Sequence, residues 1–179
     1  MSELKTNRIV PRDGLVSATN YGGGIIQCKM GVKTDTFSGQ GDNAGTFIEI
    51  TGLSVTITPT RADSKIMIDG SVVMVADTAD YHMGLKITRG SSDISGFIGA
   101  ASGNRTACMA ALNTTGNVKP NTVPLMCFDA PATTSAVTYK VYGSIESNKY
   151  FWINHYTSSS NVYSVYHGIS TIRAWEISG

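Results

Sequence analysis

Three histidines, His82, His155 and His167, are the side chains of this 179-residue chain best suited to proton transfer or metal ligation near neutral pH. None stands in a metal-ligand spacing such as HExxH. His155 and His167 would face each other if neighbouring strands carried them, and the competing reading is that both are ordinary packed or solvent-facing strand residues. The loop DTADYH (Asp77–His82) groups two carboxylates and an imidazole, a set that could hold a cation, although their number and order match no known cation loop and a solvated turn is the plainer reading. GQGDNAG (Gly39–Gly45) has the glycines of a phosphate loop but lacks the Lys-Ser/Thr ending, and it runs into a strand, so no helix N-terminus would face a phosphate. No GxSxG elbow is present. A carboxylate pair for glycoside hydrolysis could be drawn from residue types alone, but it would need a deeper groove than a small β-domain provides. The expectation is a protein that is not an enzyme, with no catalytic residue, no metal and no cofactor.

The aromatic side chains are more informative. KYFWINHYTSSSNVYSVYHG (Lys149–Gly168) gathers Tyr150, Phe151, Trp152, Tyr156, Tyr163 and Tyr166 around a polar loop. Two readings stand: alternate members fill the core while the others dress a sheet face, or Tyr156, Tyr163 and Tyr166 form a recognition loop. Tyrosine suits the second role because it offers a large amphipathic contact at modest entropic cost.

The elements that must position these groups are short strands. Ile25–Val32 reads as the first. TFIEI (Thr46–Ile50) and LSVTIT (Leu53–Thr58) alternate apolar and polar residues, with Thr51-Gly52 as a turn or bulge between them and Pro59 as a stop. Ser64–Asp77 alternates and is interrupted at Gly70, read as a bulge. His82–Arg89 and Ile94–Ile98 follow as a meander around Gly90-Ser91-Ser92. Gly99–Pro120 reads as a long surface connection with one short helical turn at Met109–Leu112. Strands resume at Val123–Phe128, Val137–Ile145, Tyr150–His155, Val162–Tyr166 and Ile169–Ile177. No segment holds a helical period and no fixed repeat is visible. The prediction is an all-β antiparallel sandwich of jelly-roll-like form over residues 25–179, preceded by an extended N-terminal arm over residues 1–24.

Composition narrows the function classes. Charged residues make up 15% of the chain, below the usual quarter or so, and the net charge is +1, which gives no electrostatic reason to expect nucleic acid or a membrane surface. No apolar run is long enough to span a membrane, and no apolar signal core opens the chain. Cys28, Cys108 and Cys127 are odd in number and widely spaced, so buried reduced thiols are expected rather than a disulfide framework. The arm, LKTNRIVPRDGLVSATNYGGG, has no clear period. Leu4, Ile9, Val10, Pro11 and Leu15 could anchor it on a partner and Lys5, Arg8 and Arg12 could pair with carboxylates there, while Pro11 favours an extended backbone. The rival reading adds Lys5–Val10 as an edge strand to its own or a neighbouring sandwich.

Four stretches carry a family resemblance: LKTNRIVPRDGL (Leu4–Leu15), GGIIQCKMGVKTDTFS (Gly23–Ser38), FIEITGLSVTITPTRADSKIMI (Phe47–Ile68) and FDAPATTSAVTYKV (Phe128–Val141). The chain resembles a family of virion proteins of marine and freshwater bacteriophages, cyanophages among them. In that family the domain forms the tip of a tail fibre or spike, or stands alone as a small surface protein. The resemblance covers most of the chain apart from Gly99–Pro120. It implies a β-sandwich that assembles as a homotrimer, and it carries over no catalytic residue. The function expected from it is a trimeric capsid decoration or cement protein on the outer capsid surface, assembled in the host cytoplasm, its arm gripping the major capsid protein. The alternative is a receptor-binding tip on the tail that recognises host-surface glycan through the tyrosine loop.

Overall fold

The computed structural model describes residues 24–42, 45–114, 119–156 and 166–179. The predicted arm, apart from Gly24, lies outside the described residues. So do Tyr163 and most of the predicted strand Val162–Tyr166, whose last residue is not in a strand.

Eleven strands alternate in chain order: β1 (Ile25–Lys33), β2 (Phe37–Gln40), β3 (Ile48–Ile57), β4 (Lys65–Ala76), β5 (His82–Arg89), β6 (Ser92–Asp93), β7 (Ala110–Asn113), β8 (Asn121–Asp129), β9 (Val137–Ile145), β10 (Tyr150–Ile153) and β11 (Ser170–Ile177). All pairings are antiparallel. In sheet A, β4 pairs with β8 along one edge. Along its other edge it pairs with β10 at Met74–Ala76 and then β11 at Lys65–Ser71. β10 and β11 are therefore one row, interrupted between Ile153 and Ser170, where the chain makes its excursion from the sheet at Asn154. The next row is interrupted at the same level, because β1 pairs with β11 and β2 with β10. Sheet B runs β3-β9-β5, with β6 and β7 sharing the last row.

Counted as rows in chain order, sheet A reads sixth, third, eighth, first, and sheet B reads second, seventh, fourth, fifth. That interleaving is the jelly roll of two nested Greek keys. The fold follows from period-2 patterning: Ile50, Leu53, Val55 and Ile57 of β3 and Leu85 and Ile87 of β5 point inward, against Ile66, Ile68, Val72 and Met74 of β4. Each such buried side chain adds about 1.5–3 kcal/mol of apolar burial.

Three strand expectations are corrected. β4 runs without a register shift through Gly70, which is not a bulge. The residue is glycine because a Cβ there would strike the Thr171 carbonyl. Of the two readings of Thr51-Gly52, turn or bulge, the bulge is the one found: the register of β3 shifts between Glu49 and Ser54 and Gly52 takes φ 85°, so TFIEI and LSVTIT form one kinked strand. Ile94–Ile98 is not a strand; pairing ends at Asp93, and Ile94 turns into the core instead. Residues 109–112 form no helical turn. Ala110–Asn113 is β7, which completes the outer row of sheet B against β5. β2 and β6 fall outside every strand predicted from the sequence.

Candidate interaction surface

Alternation that sends Ile66, Ile68 and Val72 inward sends Met67, Asp69 and Ser71 out of sheet A. Register aligns these with outward residues on the neighbouring rows. One cross-strand line is Met126–Asp69–Arg173–Met30, a second Phe128–Met67–Trp175–Cys28, a third Pro124–Ser71–Thr171–Val32. Pro124 is tolerated because β8 is an edge row bonded only to β4. The outward positions, which an exposed sheet normally fills with polar residues, here hold three methionines, a tryptophan, a phenylalanine and a cysteine.

At the centre lies Asp69. It accepts a hydrogen bond from Arg173 Nε at 2.6 Å and one from Trp175 Nε1 at 3.0 Å. The Arg173 guanidinium sits 5.7 Å from the centre of the Trp175 ring. The one carboxylate and one guanidinium of the three lines thus satisfy each other and leave them neutral. Met126 is 60% exposed, Met30 56% and Val32 47%.

Eight large apolar side chains are exposed among the described residues, and each belongs to sheet A or to the chain entering β11: Ile25, Ile26, Met30, Val32, Met126, Tyr150, Tyr166 and Ile169. The outside of sheet B is different in kind. Lys140 pairs with Glu49 at 2.8 Å, Lys86 with Asp93 at 2.7 Å, and Thr56 bonds Thr138 at 2.8 Å. Scattered exposed apolar residues are ordinary on any surface, but Met30, Val32 and Met126 lie together on the cross-strand lines of one sheet face.

The excursion begins next to this face. Phe151 and Ile153 point into the core, so Tyr150 and Trp152 point out. Trp152 stacks on His155 with ring centroids 4.7 Å apart, and His155 lies 5.3 Å from His167. The structure therefore does bring the two histidines together. His155 Nδ1 is buried without a hydrogen-bond partner. Burial, and then the neighbouring His167, hold the His155 pKa below its ordinary value, so the ring is neutral near neutral pH. Of the tyrosine loop, Tyr156 is half-buried and Tyr166 is 76% exposed.

Asn154 closes the base of the excursion. It is fully buried in the left-handed region, at φ 57°. Its Nδ2 donates to the Lys33 carbonyl at 2.8 Å and the Asp35 carbonyl at 3.1 Å, and its Oδ1 accepts from Ser170 Oγ at 2.7 Å. Ser170 Oγ in turn accepts from the Val73 amide at 3.0 Å. These bonds stand in for the ladder that both interrupted rows lack at this level.

A cleft of about 460 Å³ opens at the end of sheet B between Phe47, His82, Cys108 and Glu146. His82 Nδ1 lies 2.7 Å from Glu146 Oε1, and the hydrogen bond from His82 holds the Glu146 pKa below its ordinary value. Burial pushes the Cys108 thiol up, the opposite of an activated nucleophile. Among the described residues no three His, Cys, Asp or Glu side chains converge on a common point. DTADYH does not gather its charges: Asp77 Oδ1 is buried and unpaired, whereas His82 turns to Glu146.

No family model and no curated protein matches the chain. Among solved structures it is similar to a chain of the tripod (BppUct-A-L) from the baseplate of bacteriophage Tuc2009, at 8% identity over 100% of this chain and 78% of that one, TM-score 0.39. It is similar to a chain of infectious bursal disease virus, Gt strain, at 13% identity over 100% of this chain and 42% of that one, TM-score 0.43. A third likeness is to T=1 particles derived from infectious bursal virus, at 12% identity over 100% of this chain and 40% of that one, TM-score 0.41. The chain thus spans less than half the length of the two bursal-virus chains. Likenesses this loose leave function to be argued from the chain's own surface.

From sequence the contact surfaces are the arm, which lies outside the described residues, and as the alternative Tyr156, Tyr163 and Tyr166; the three lines across sheet A are not among them. A signal for them exists: in CKMGV (Cys28–Val32) and PLMCF (Pro124–Phe128) the positions alternating with the inward set are themselves apolar.

Proposed function

We propose that this chain is a structural virion protein, a non-enzymatic trimer that decorates the outer capsid surface and strengthens the shell. The observation that carries the reading is the neutral, methionine-rich outer face of sheet A beside a polar sheet B, which is the surface of a protein that works by being docked. The arm, with Leu4, Ile9, Val10, Pro11 and Leu15 as anchors, would grip the major capsid protein across subunit joints. Detachment would then require several contacts to break together, and binding only the assembled shell stabilises that shell by mass action. The sequence resemblance supports the virion setting.

The copy number per purified particle, from quantitative mass spectrometry, tests this. Hundreds of copies commensurate with the capsid lattice are expected. A few dozen or fewer would refute decoration and favour the second reading, a tail-borne receptor-binding tip for host glycan. A specific feature recommends that alternative: the ring row of Tyr150, Trp152, His155 and His167 stands beside the exposed Tyr166. Under it, replacing Tyr156, Tyr163 and Tyr166 by alanine lowers adsorption to host cells and leaves capsid strength unchanged.

A further inference from the structure

We propose that the outer face of sheet A is the surface on which copies of this chain meet. The inference rests on reading that face as a docking surface and adds the identity of what covers it. Three observations point to a second copy.

The first is charge. Asp69 and Arg173 neutralise each other within the face, at 2.6 Å. The remaining members of the three lines are uncharged: Cys28, Met30, Val32, Met67, Ser71, Pro124, Met126, Phe128, Thr171 and Trp175. A partner chosen by charge would find nothing to pair with. An identical face is a match, because apolar meets apolar and each Asp69 already carries its own Arg173.

The second is area. Three lines about 6.8 Å apart, across four rows about 4.8 Å apart, make a patch of roughly 20 by 20 Å, or about 400 Å². A standard-size protein interface takes about 800 Å² from each partner, so the patch would be the centre of such an interface and the residues around it the remainder. About 300–600 Å² is the size of the largest apolar patch on a typical monomer, and a patch of that size often marks function.

The third is chemistry. An arginine and a tryptophan at the centre, ringed by methionines, are the residue types enriched where interfaces are most strongly held. Methionine side chains also adjust to each other, so a flat sheet can interdigitate with its own copy. Two or three copies meeting on this face satisfy the same geometry.

The test uses the full chain. Wild-type protein at micromolar concentration is expected to sediment as an oligomer. The double variant Met30→Glu/Met126→Glu, two exposed positions flanking Asp69–Arg173, places like charges on both partners. It should weaken association about a hundredfold or more, since buried unpaired charge is costly, while unchanged far-ultraviolet dichroism and melting show that the fold survives. Thr56→Glu on the outside of sheet B should leave the mass unchanged. Cys28, exposed and in line with Trp175, serves as a footprint: its alkylation should be slow in the wild-type oligomer and fast in the dissociated double variant. A wild-type chain that is monomeric at about 100 µM overturns the proposal, as does a double variant that keeps its mass, or a Cys28 equally reactive in both. Failure here is separable from failure of the virion reading. If the double variant remains oligomeric and the protein is still found at hundreds of copies per particle, only this inference falls. If the face behaves as expected and the protein is absent from particles, only the virion reading falls.

Discussion

Replacing Asn154 by alanine removes the buried side chain that joins the two interrupted rows of sheet A, and the cost can be worked out from its bonds. Two of its three side-chain hydrogen bonds are buried, to the Lys33 carbonyl at 2.8 Å and from Ser170 Oγ at 2.7 Å; the third, to the Asp35 carbonyl at 3.1 Å, is partly exposed. A buried group left without its partner costs about 1–3 kcal/mol. Water reaches the Asp35 carbonyl, so the two buried bonds set the scale at about 3 kcal/mol. Alanine at φ 57° adds about 1 kcal/mol, because its Cβ crowds the following carbonyl where asparagine is better tolerated. The total of about 4 kcal/mol is a large part of the 5–15 kcal/mol that holds a typical domain together. For a chain of this length it should lower the melting temperature by roughly 8–16 °C. Glycine at the same position loses the bonds but not the backbone conformation, so Asn154→Gly should melt about 2–4 °C above Asn154→Ala. Asn154→Asp should melt below both, since it turns a carboxylate oxygen toward the Lys33 and Asp35 carbonyls. Calorimetry on the four proteins decides the matter. A fall of less than about 3 °C for Asn154→Ala, or a glycine variant no more stable than the alanine variant, would show that the clasp does not hold the rows together.

Two further predictions concern pH and one concerns thiols. Burial alone would raise the pKa of Glu176, but hydrogen bonds from Gln27, Ser64 and Thr60 outweigh it and hold the carboxyl below its ordinary 4.5. Its contribution to stability is present above about pH 4.5 and is lost as pH falls through the lowered native value; urea midpoints of wild type and Glu176→Gln should differ at pH 7 and converge in acid. His155 has a native pKa below its ordinary 6.5, so the unfolded chain binds the proton more readily and stability falls as pH drops below about 6.5. His155→Gln should flatten that part of the profile, and an unchanged slope between pH 7 and 5 would refute the reading. Cys127 is fully buried with its thiol pushed up to about 12, chiefly by burial, whereas Cys28 is exposed. In a dissociated chain a thiol reagent should therefore label Cys28 first and reach Cys127 only on unfolding.

How much of this could be read from the sequence depends on how local the cause is. β3, β5, β9 and β11 announce themselves because a half-buried strand writes its period into five or more consecutive residues. Ala110–Asn113 does not: two alanines, a leucine and an asparagine are too short to show a period and become a strand because β5 has a free edge beside them, a tertiary cause that no window of sequence contains. Gly70 looked like a bulge because glycine often marks one, yet here it makes room for the neighbouring Thr171 carbonyl, which lies a hundred residues away in the chain. Asn154 could not be singled out for the same reason, since both carbonyls it satisfies belong to another row. The histidine pair was the one long-range juxtaposition anticipated, because the strand containing Tyr150–Ile153 and the one beginning near Ile169 were both visible.

The two functional readings compete less than they first seem to, and the register says why. The methionine lines cross β4 at Met67, Asp69 and Ser71, whereas Trp152 crosses it at Val75. Four residues of extended strand separate Ser71 from Val75, about 13 Å. Copies meeting on the methionine lines would bury Cys28, Met30 and Met126, yet the rings of Trp152, His155 and His167 lie toward the other end of the face, where the excursion leaves the sheet. The break at Asn154 is what permits this division. An interrupted row, its lost ladder bonds replaced by one asparagine and one serine, can give the β11 end to self-association and the β10 end, with Trp152, His155 and His167, to a second contact. Substitutions at Met30 and Met126 should accordingly change the mass of the assembly without touching adsorption, and substitutions at Tyr156 and Tyr166 the reverse. A variant at either end that altered both would mean that the face acts as one surface.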